Sequence, residues 1–306
     1  MRTIHARFVA ATVLLASAAM GQDFSNARIE TQDLGDGIHV LFGVGEGVIA
    51  GNIVASIGDD GVLIVDDQFP EMVPKYRDTL MRLGGGAIAF AINTHWHFDH
   101  ADGNKALGRQ GVRLVSHDVS RRMLLHDNQI NLVNSVREQP RFPAHALPAL
   151  TYGETMSLHF NGERIDLMHF GPAHTMGDTV VIFRDSDVVH LGDVFNTSGY
   201  PFIDADNGGS LNGIIDFCTA VLDQIPRTAI VVPGHGPVSD YAGLGAYVDM
   251  LREIRDRMSA LISSGATLEQ VAAARITAEW DEANGDPAML LDRAYASLIR
   301  SRTSLR

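Results

Sequence analysis

Four side chains able to bind a metal ion lie within six residues, in His95-Trp96-His97-Phe98-Asp99-His100. They come directly after residues 87–92, a continuously apolar run that suits a strand covered on both faces. Ligands sharing one helix face recur every three or four residues, so a spacing of two suits an extended or turning backbone. One tetrahedral ion cannot readily use all four groups. Two adjacent ions can, with His95 and His97 on one and Asp99 and His100 on the other. Each ion then needs ligands from elsewhere and keeps an open position for water.

Further candidates occupy similar settings. His174 lies between two expected strands, in Gly171-Pro172-Ala173-His174-Thr175, and Asp193 and His235 each follow a strand. A carboxylate such as Asp193 can bridge two metals, which histidine ordinarily does not. His190, three residues before Asp193, is placed to support a ligand. Residues 196–202, directly after Asp193, offer Asn196 and Tyr200 as substrate contacts, and residues 127–150 offer a second wall. Cys218 sits in an apolar helical stretch and reads as a small core residue.

Short β-type runs are expected at 38–42, 48–57 and 62–65, then a helix at 70–83 ended by Gly84-Gly85-Gly86. A short helix from about 103, a strand at 112–115 and a helix at 118–126 follow. Residues 127–150, with three prolines, read as an irregular surface excursion. Strands resume at 156–160, 164–170, 179–183 and 188–191, followed by a helix at 211–225, a strand at 229–232 and a long helix at 240–263. Two more helices close the chain, one opened by a Thr267/Gln270 capping box and one by Asp286-Pro287, running to about 302. A strand ending in Asp66 leads through a helix and a strand to His95. A strand ending in Gly192-Asp193 leads the same way to His235. A unit used twice implies two sheets packed face to face with helices outside, and residues 22–306 read as one domain.

Arg2 and Arg7 precede an apolar run of residues 8–19 and the small stretch Ala18-Ala19-Met20-Gly21, the pattern of a secretory signal peptide over residues 1–21. The run is too short to span a bilayer. The expectation is an exported, periplasmic protein without a membrane anchor. The net charge of −13, with two lysines (Lys75 and Lys105), excludes the basic face that nucleic acid needs. One cysteine excludes a disulfide framework and a cysteine-rich zinc knuckle. The expected partner is a small-molecule substrate; the oligomeric state stays open.

The ligand cluster, with His174, Asp193 and His235 in order behind it, resembles the signature of the metallo-β-lactamase superfamily, and the resemblance covers residues from about 35 to 240. It implies an α/β fold, an αββα sandwich of two packed mixed sheets with outer helices, to which the sequence pattern adds C-terminal helices at about 240–302. It implies two Zn2+ ions, one on His95, His97 and His174 and one on Asp99, His100 and His235, with Asp193 bridging. It also implies that Asp66 holds the ligand loop and that a metal-activated water opens a cyclic amide or ester, with Asp99 orienting it and moving its proton. β-Lactam hydrolysis is the preferred case, and export agrees with it. The secreted β-lactamases of the superfamily carry cysteine, serine or another residue where this chain has Asp193, and many grip the drug carboxylate with a later lysine that this chain lacks. The alternatives are a thioester or lactone hydrolase of the glyoxalase II type and an iron oxidoreductase of the persulfide dioxygenase type.

Overall fold

The computed structural model describes residues 23–304; the expected signal segment lies outside them. Among the described residues no helix is long and apolar enough to cross a membrane.

The first sheet opens with β1 (Arg28–Gly35), β2 (Ile38–Val44), β3 (Ile53–Gly58) and β4 (Gly61–Val65), consecutive antiparallel neighbours. Helix α1 (Val73–Arg82) then carries the chain to β5 (Ile88–Asn93), parallel to β4. Two one-turn helices, α2 (Phe98–Ala101) and α3 (Asn104–Leu107), precede β6 (Arg113–His117) and α4 (Asp118–Leu124). A hairpin of β7 (Asn128–Asn131) and β8 (Val136–Gln139) stands apart, and β9 (Leu150–Tyr152) completes the sheet beside β6. The second sheet runs in order through β10 (Thr155–Phe160), β11 (Glu163–Met168), β12 (Val180–Phe183), β13 (Val188–His190), β14 (Ile230–Val232) and β15 (Ser239–Asp240). Helix α5 (Leu211–Gln224) links the parallel pair β13 and β14. The chain closes with α6 (Tyr241–Ser263), α7 (Leu268–Ala273), α8 (Asp281–Asn284) and α9 (Ala288–Ser304).

Side-chain alternation along the strands builds the layers. Val54, Leu63, Val65 and Ile92 face Ile165, Leu167, Val181 and Phe183 between the sheets. Their neighbours Ile53, Ala55, Val62, Ile64 and Ala91 point the other way, onto Val73, Tyr76 and Leu80 of α1. On the far side Val180, Ile182, Val189 and Val231 meet α5, α6 and α9. Each sheet is thus apolar on both faces and covered on its outer one, giving the expected αββα sandwich. The echo read from the sequence is a repeated crossover, β4–α1–β5 and β13–α5–β14. Asp66 and His95 follow the strands of one, in the first sheet, and Asp193 and His235 those of the other, in the second, so that the C-terminal ends of strands from both sheets bring these residues to one end of the sandwich.

Four expectations are corrected. Residues 127–150 contain the β7–β8 hairpin, tied to the ligand loop by Gln139, whose Nε2 donates to the Trp96 carbonyl at 2.7 Å. The expected strand at 48–57 begins only at Ile53, because residues 45–51 loop out towards the site. The ligand cluster mixes conformations: His97 is extended, whereas Asp99 and His100 belong to the single helical turn of α2. Three helices rather than two follow α6.

Candidate metal centre

Strand β5 ends at Asn93, and the chain after it is held from below by a carboxylate. Asp66 Oδ1 accepts from the Thr94 backbone N–H at 2.7 Å, and Oδ2 accepts from Thr94 Oγ1 at 2.8 Å and His100 Nδ1 at 2.7 Å. Asp66 sits at φ +64°, in the left-handed region that side chains rarely adopt. Burial alone would raise its pKa, but the His100 ring outweighs that and holds the carboxyl below its usual range.

These contacts fix the protons of four buried histidines. Thr94 Oγ1 spends its hydrogen on Asp66, so it accepts from His95 Nδ1 at 3.1 Å. This leaves His95 Nε2 buried with no partner. His97 Nε2 donates to Asp204 Oδ2 at 2.9 Å, His174 Nδ1 donates to the Phe202 carbonyl at 2.8 Å, and His100 Nδ1 is taken by Asp66. Each ring keeps one lone pair, and the lone pairs converge. His97 Nδ1 and His174 Nε2 face each other at 2.9 Å, and His100 Nε2 lies 3.2 Å from His235 Nε2. Two acceptors at that separation repel unless a cation or a proton lies between them. The donor set therefore fits divalent metal ions, with each imidazole oriented by an acceptor behind it.

The groups fall into two sets, linked by a third made of His95, His100 and Asp193. Ligand atoms of His95, His97 and His174 lie within 4.8 Å of one another, as do those of Asp99, His100 and His235. Asp193 stands between the sets. Its Oδ2 is 3.7 Å from His174 Nε2, and its Oδ1 is 3.0 Å from His100 Nε2 and 3.4 Å from His235 Nε2. Asp99 Oδ2 is 3.2 Å from His235 Nε2. Burial opposes the charge on both carboxylates, yet the surrounding rings hold both below their usual range, Asp193 well below. Burial also works against protonating His235, but Asp193 and Asp99 push it up to about 10. His95, facing other rings, is driven well below its usual value by burial. Glycines give these groups room: a Cβ on Gly51 would overlap the His100 ring, and one on Gly234 would overlap Asp193 Oδ1.

The remaining sequence candidates take different places. His190 lies in β13 beneath the site, bonded to the Val232 and Asn52 carbonyls at 3.2 Å and standing 3.6 Å from Asp66 Oδ2; it backs Asp66 rather than Asp193. Tyr200 reaches the cleft, but its hydroxyl donates to Asp281 Oδ1 at 2.9 Å, so its tip is turned away towards α8 and its ring is what borders the cleft. Asn196 also lines the cleft. Its Oδ1 accepts from the Ser198 N–H and hydroxyl at 2.8 Å, leaving its Nδ2 as the available donor. Sequence reasoning missed Asp204, whose only local mark is an acidic residue in a loop. It missed Thr94, although a hydroxyl beside a ligand histidine is such a signal. It also missed Asp178, which accepts from Thr175 N at 2.8 Å and so shapes the His174 loop.

A cavity of about 420 Å³ opens over the metal-ligand cluster. Ile49, Phe98, Ile130, Leu132, Phe202 and Met289 supply its apolar walls, and His97, Asp99, Asp193 and His235 its floor.

The family model of the metallo-beta-lactamase superfamily matches residues 47–235. Among solved structures, the DIM-1 metallo-beta-lactamase is 18% identical with a TM-score of 0.58, covering 74% of this chain and 97% of that one. A metallo-beta-lactamase from Pontibacter korlensis is 17% identical with a TM-score of 0.58, covering 74% and 99%. TMB-1 is 19% identical with a TM-score of 0.57, covering 74% and 97%. At such identities the likeness speaks for the fold alone. No curated protein matches the chain.

Proposed function

The chain belongs to the metallo-beta-lactamase superfamily, and from that premise we propose that it is an exported hydrolase that uses two zinc ions to open a cyclic ester or amide. One observation carries the proposal: four buried histidines, each with one nitrogen committed to an acceptor, turn their other nitrogens towards one another around Asp193. His95, His97 and His174 would hold one ion and Asp99, His100 and His235 the other, with Asp193 placed between the two sets to serve both.

Divalent cations held there supply Lewis acidity, which lowers the pKa of water and polarises a carbonyl. Asp99 borders the cleft beside both His235 and Asp193. Its carboxylate is placed to orient the attacking water, take its proton and return it to the leaving oxygen or nitrogen. Asn196 Nδ2 is a donor for the oxyanion that forms at the carbonyl. Phe98 and Phe202 keep bulk water from the floor, which strengthens each of these polar interactions.

The β-lactam is one such cyclic amide, and structural neighbours named as metallo-beta-lactamases favour it. Among the described residues no lysine or arginine lines the cleft to pair with a drug carboxylate, which favours a lactone. The deciding experiment offers the zinc-loaded protein a cephalosporin, a carbapenem, a lactone and a glutathione thioester, with and without chelator. The proposal expects turnover of a lactam or lactone that chelator abolishes. Turnover unaffected by chelator refutes it, as does inertness towards all four with oxygen consumption restored by iron.

A further inference from the structure

Four separate parts of the chain place large apolar side chains around the cleft mouth. Ile49 comes from the loop before β3, Leu132 from the end of β7, Tyr200 from the loop after Asp193, and Met289 from α9. Ile49 is 63% exposed and Met289 37%, so both leave apolar surface in water that a ligand in the cleft would cover. Met289 lies beyond the family match, which ends at 235. It is kept at the cleft by a brace that also lies partly beyond it: Arg293 donates to Asp206 at 2.9 Å, and Tyr200 donates to Asp281.

The polar lining outside the metal-ligand groups is Asn196 and Ser198, both neutral at any working pH. Among the described residues no lysine or arginine lines the cleft. Arg137 stacks on the Phe98 ring, 4.0 Å from its centroid, without itself lining the cleft, and Lys105 Nζ pairs with Asp102 Oδ1 at 2.6 Å. A carboxylate on the part of the substrate seated against these apolar walls, away from the metal-ligand floor, would lose hydration without gaining a cation, which costs several-fold to many-fold in affinity. An apolar group would gain from each carbon it buries.

We propose that the site takes an uncharged carbonyl substrate carrying an apolar substituent, seated against Ile49, Leu132 and Met289. This rests on the hydrolase reading above and adds to it the chemistry of the non-reacting part of the substrate. The C-terminal helices then act as a specificity wall as well as a cover for the second sheet.

The test is binding, measured by calorimetry on zinc-loaded protein with straight-chain alkyl hydroxamates of increasing length and their ω-carboxylate counterparts. Affinity should rise by about fourfold per methylene until the chain outruns Met289, and the ω-carboxylates should bind more than about tenfold more weakly than neutral ligands of equal length. Met289→Ala should flatten the length dependence. Met289→Lys should bring the ω-carboxylates level with the neutral series. Affinity independent of length, or ω-carboxylates that bind as tightly as neutral ligands, overturns the proposal, most clearly if Arg137→Met then removes the carboxylate affinity. A failed hydrolase reading shows differently: length-dependent binding with no turnover of any matched lactone.

Discussion

His97 Nε2 stands 2.9 Å from Asp204 Oδ2, a contact between a ligand histidine and a carboxylate 107 residues later in the chain. Asp204 is itself set by Asn207, whose side chain donates to both carboxylate oxygens at 2.9–3.0 Å. The neighbouring Asp206 is gripped by Arg293 of α9. The last helix is thereby connected to the proton position on a metal-ligand ring.

Asp204→Asn should therefore weaken metal binding without unfolding the chain. Losing the carboxylate behind a ligand histidine typically costs about 10–100-fold in metal affinity or activity. Competition against a chromogenic chelator checks this. Unchanged affinity would mean that His97 is oriented by packing alone.

Gly51→Ala should act on the other side of the site. A Cβ there overlaps the His100 ring, and relieving it must shift either the loop or the ring, at about 1–3 kcal/mol. The expected result is a lower melting temperature together with a loss of the second equivalent of bound metal. A variant that melts lower but binds two equivalents would place the strain in the loop alone.

Much of this was legible in sequence because ligands must follow strands to be aimed, and strands in a covered sandwich are continuously apolar. The run before His95 and the run before Asp193 announce themselves for that reason. β1 does not: Arg28–Gly35 is an edge strand with its side chains mostly in water, so no burial pattern marks it. The β7–β8 hairpin is hidden likewise, with Ile130 and Gln139 its buried residues. Asp204 and the outward turn of the Tyr200 hydroxyl depend on α8, α9 and a loop meeting in three dimensions, which no local spacing encodes.

Acid stability should carry the signature of Asp166, remote from the metal-ligand cluster on β11. Burial raises its pKa, but the Ser157 hydroxyl and the guanidinium groups of Arg184 and Arg164 overcome this and hold it below the usual carboxylate range. A carboxylate lowered in the folded state stabilises fully above its unfolded pKa, and that stability is lost as pH falls through the lower folded value. Asp166→Asn should thus be destabilised at neutral pH, with the gap to the parent closing below about pH 4. Denaturant melts at several pH values measure it. A gap constant with pH would remove the ion pairs from the account.

Chelator should lower thermal stability as well as activity. With the cations removed, the lone pairs of His95, His97, His100 and His174 and the carboxylates of Asp99 and Asp193 are left crowded in a buried site, and the stability linked to metal occupancy goes with them. A melting temperature unmoved by chelator would argue that the cluster is not a metal site.

The most direct test of the central claim is the number of zinc equivalents bound by chelator-stripped protein, titrated while hydrolysis of a lactone or lactam is followed. Two equivalents are expected, with turnover rising as they bind and Asp193→Ala retaining at most one. A single equivalent in the parent chain, or two equivalents also retained by Asp193→Ala with full turnover, would contradict a dinuclear hydrolase bridged by that carboxylate.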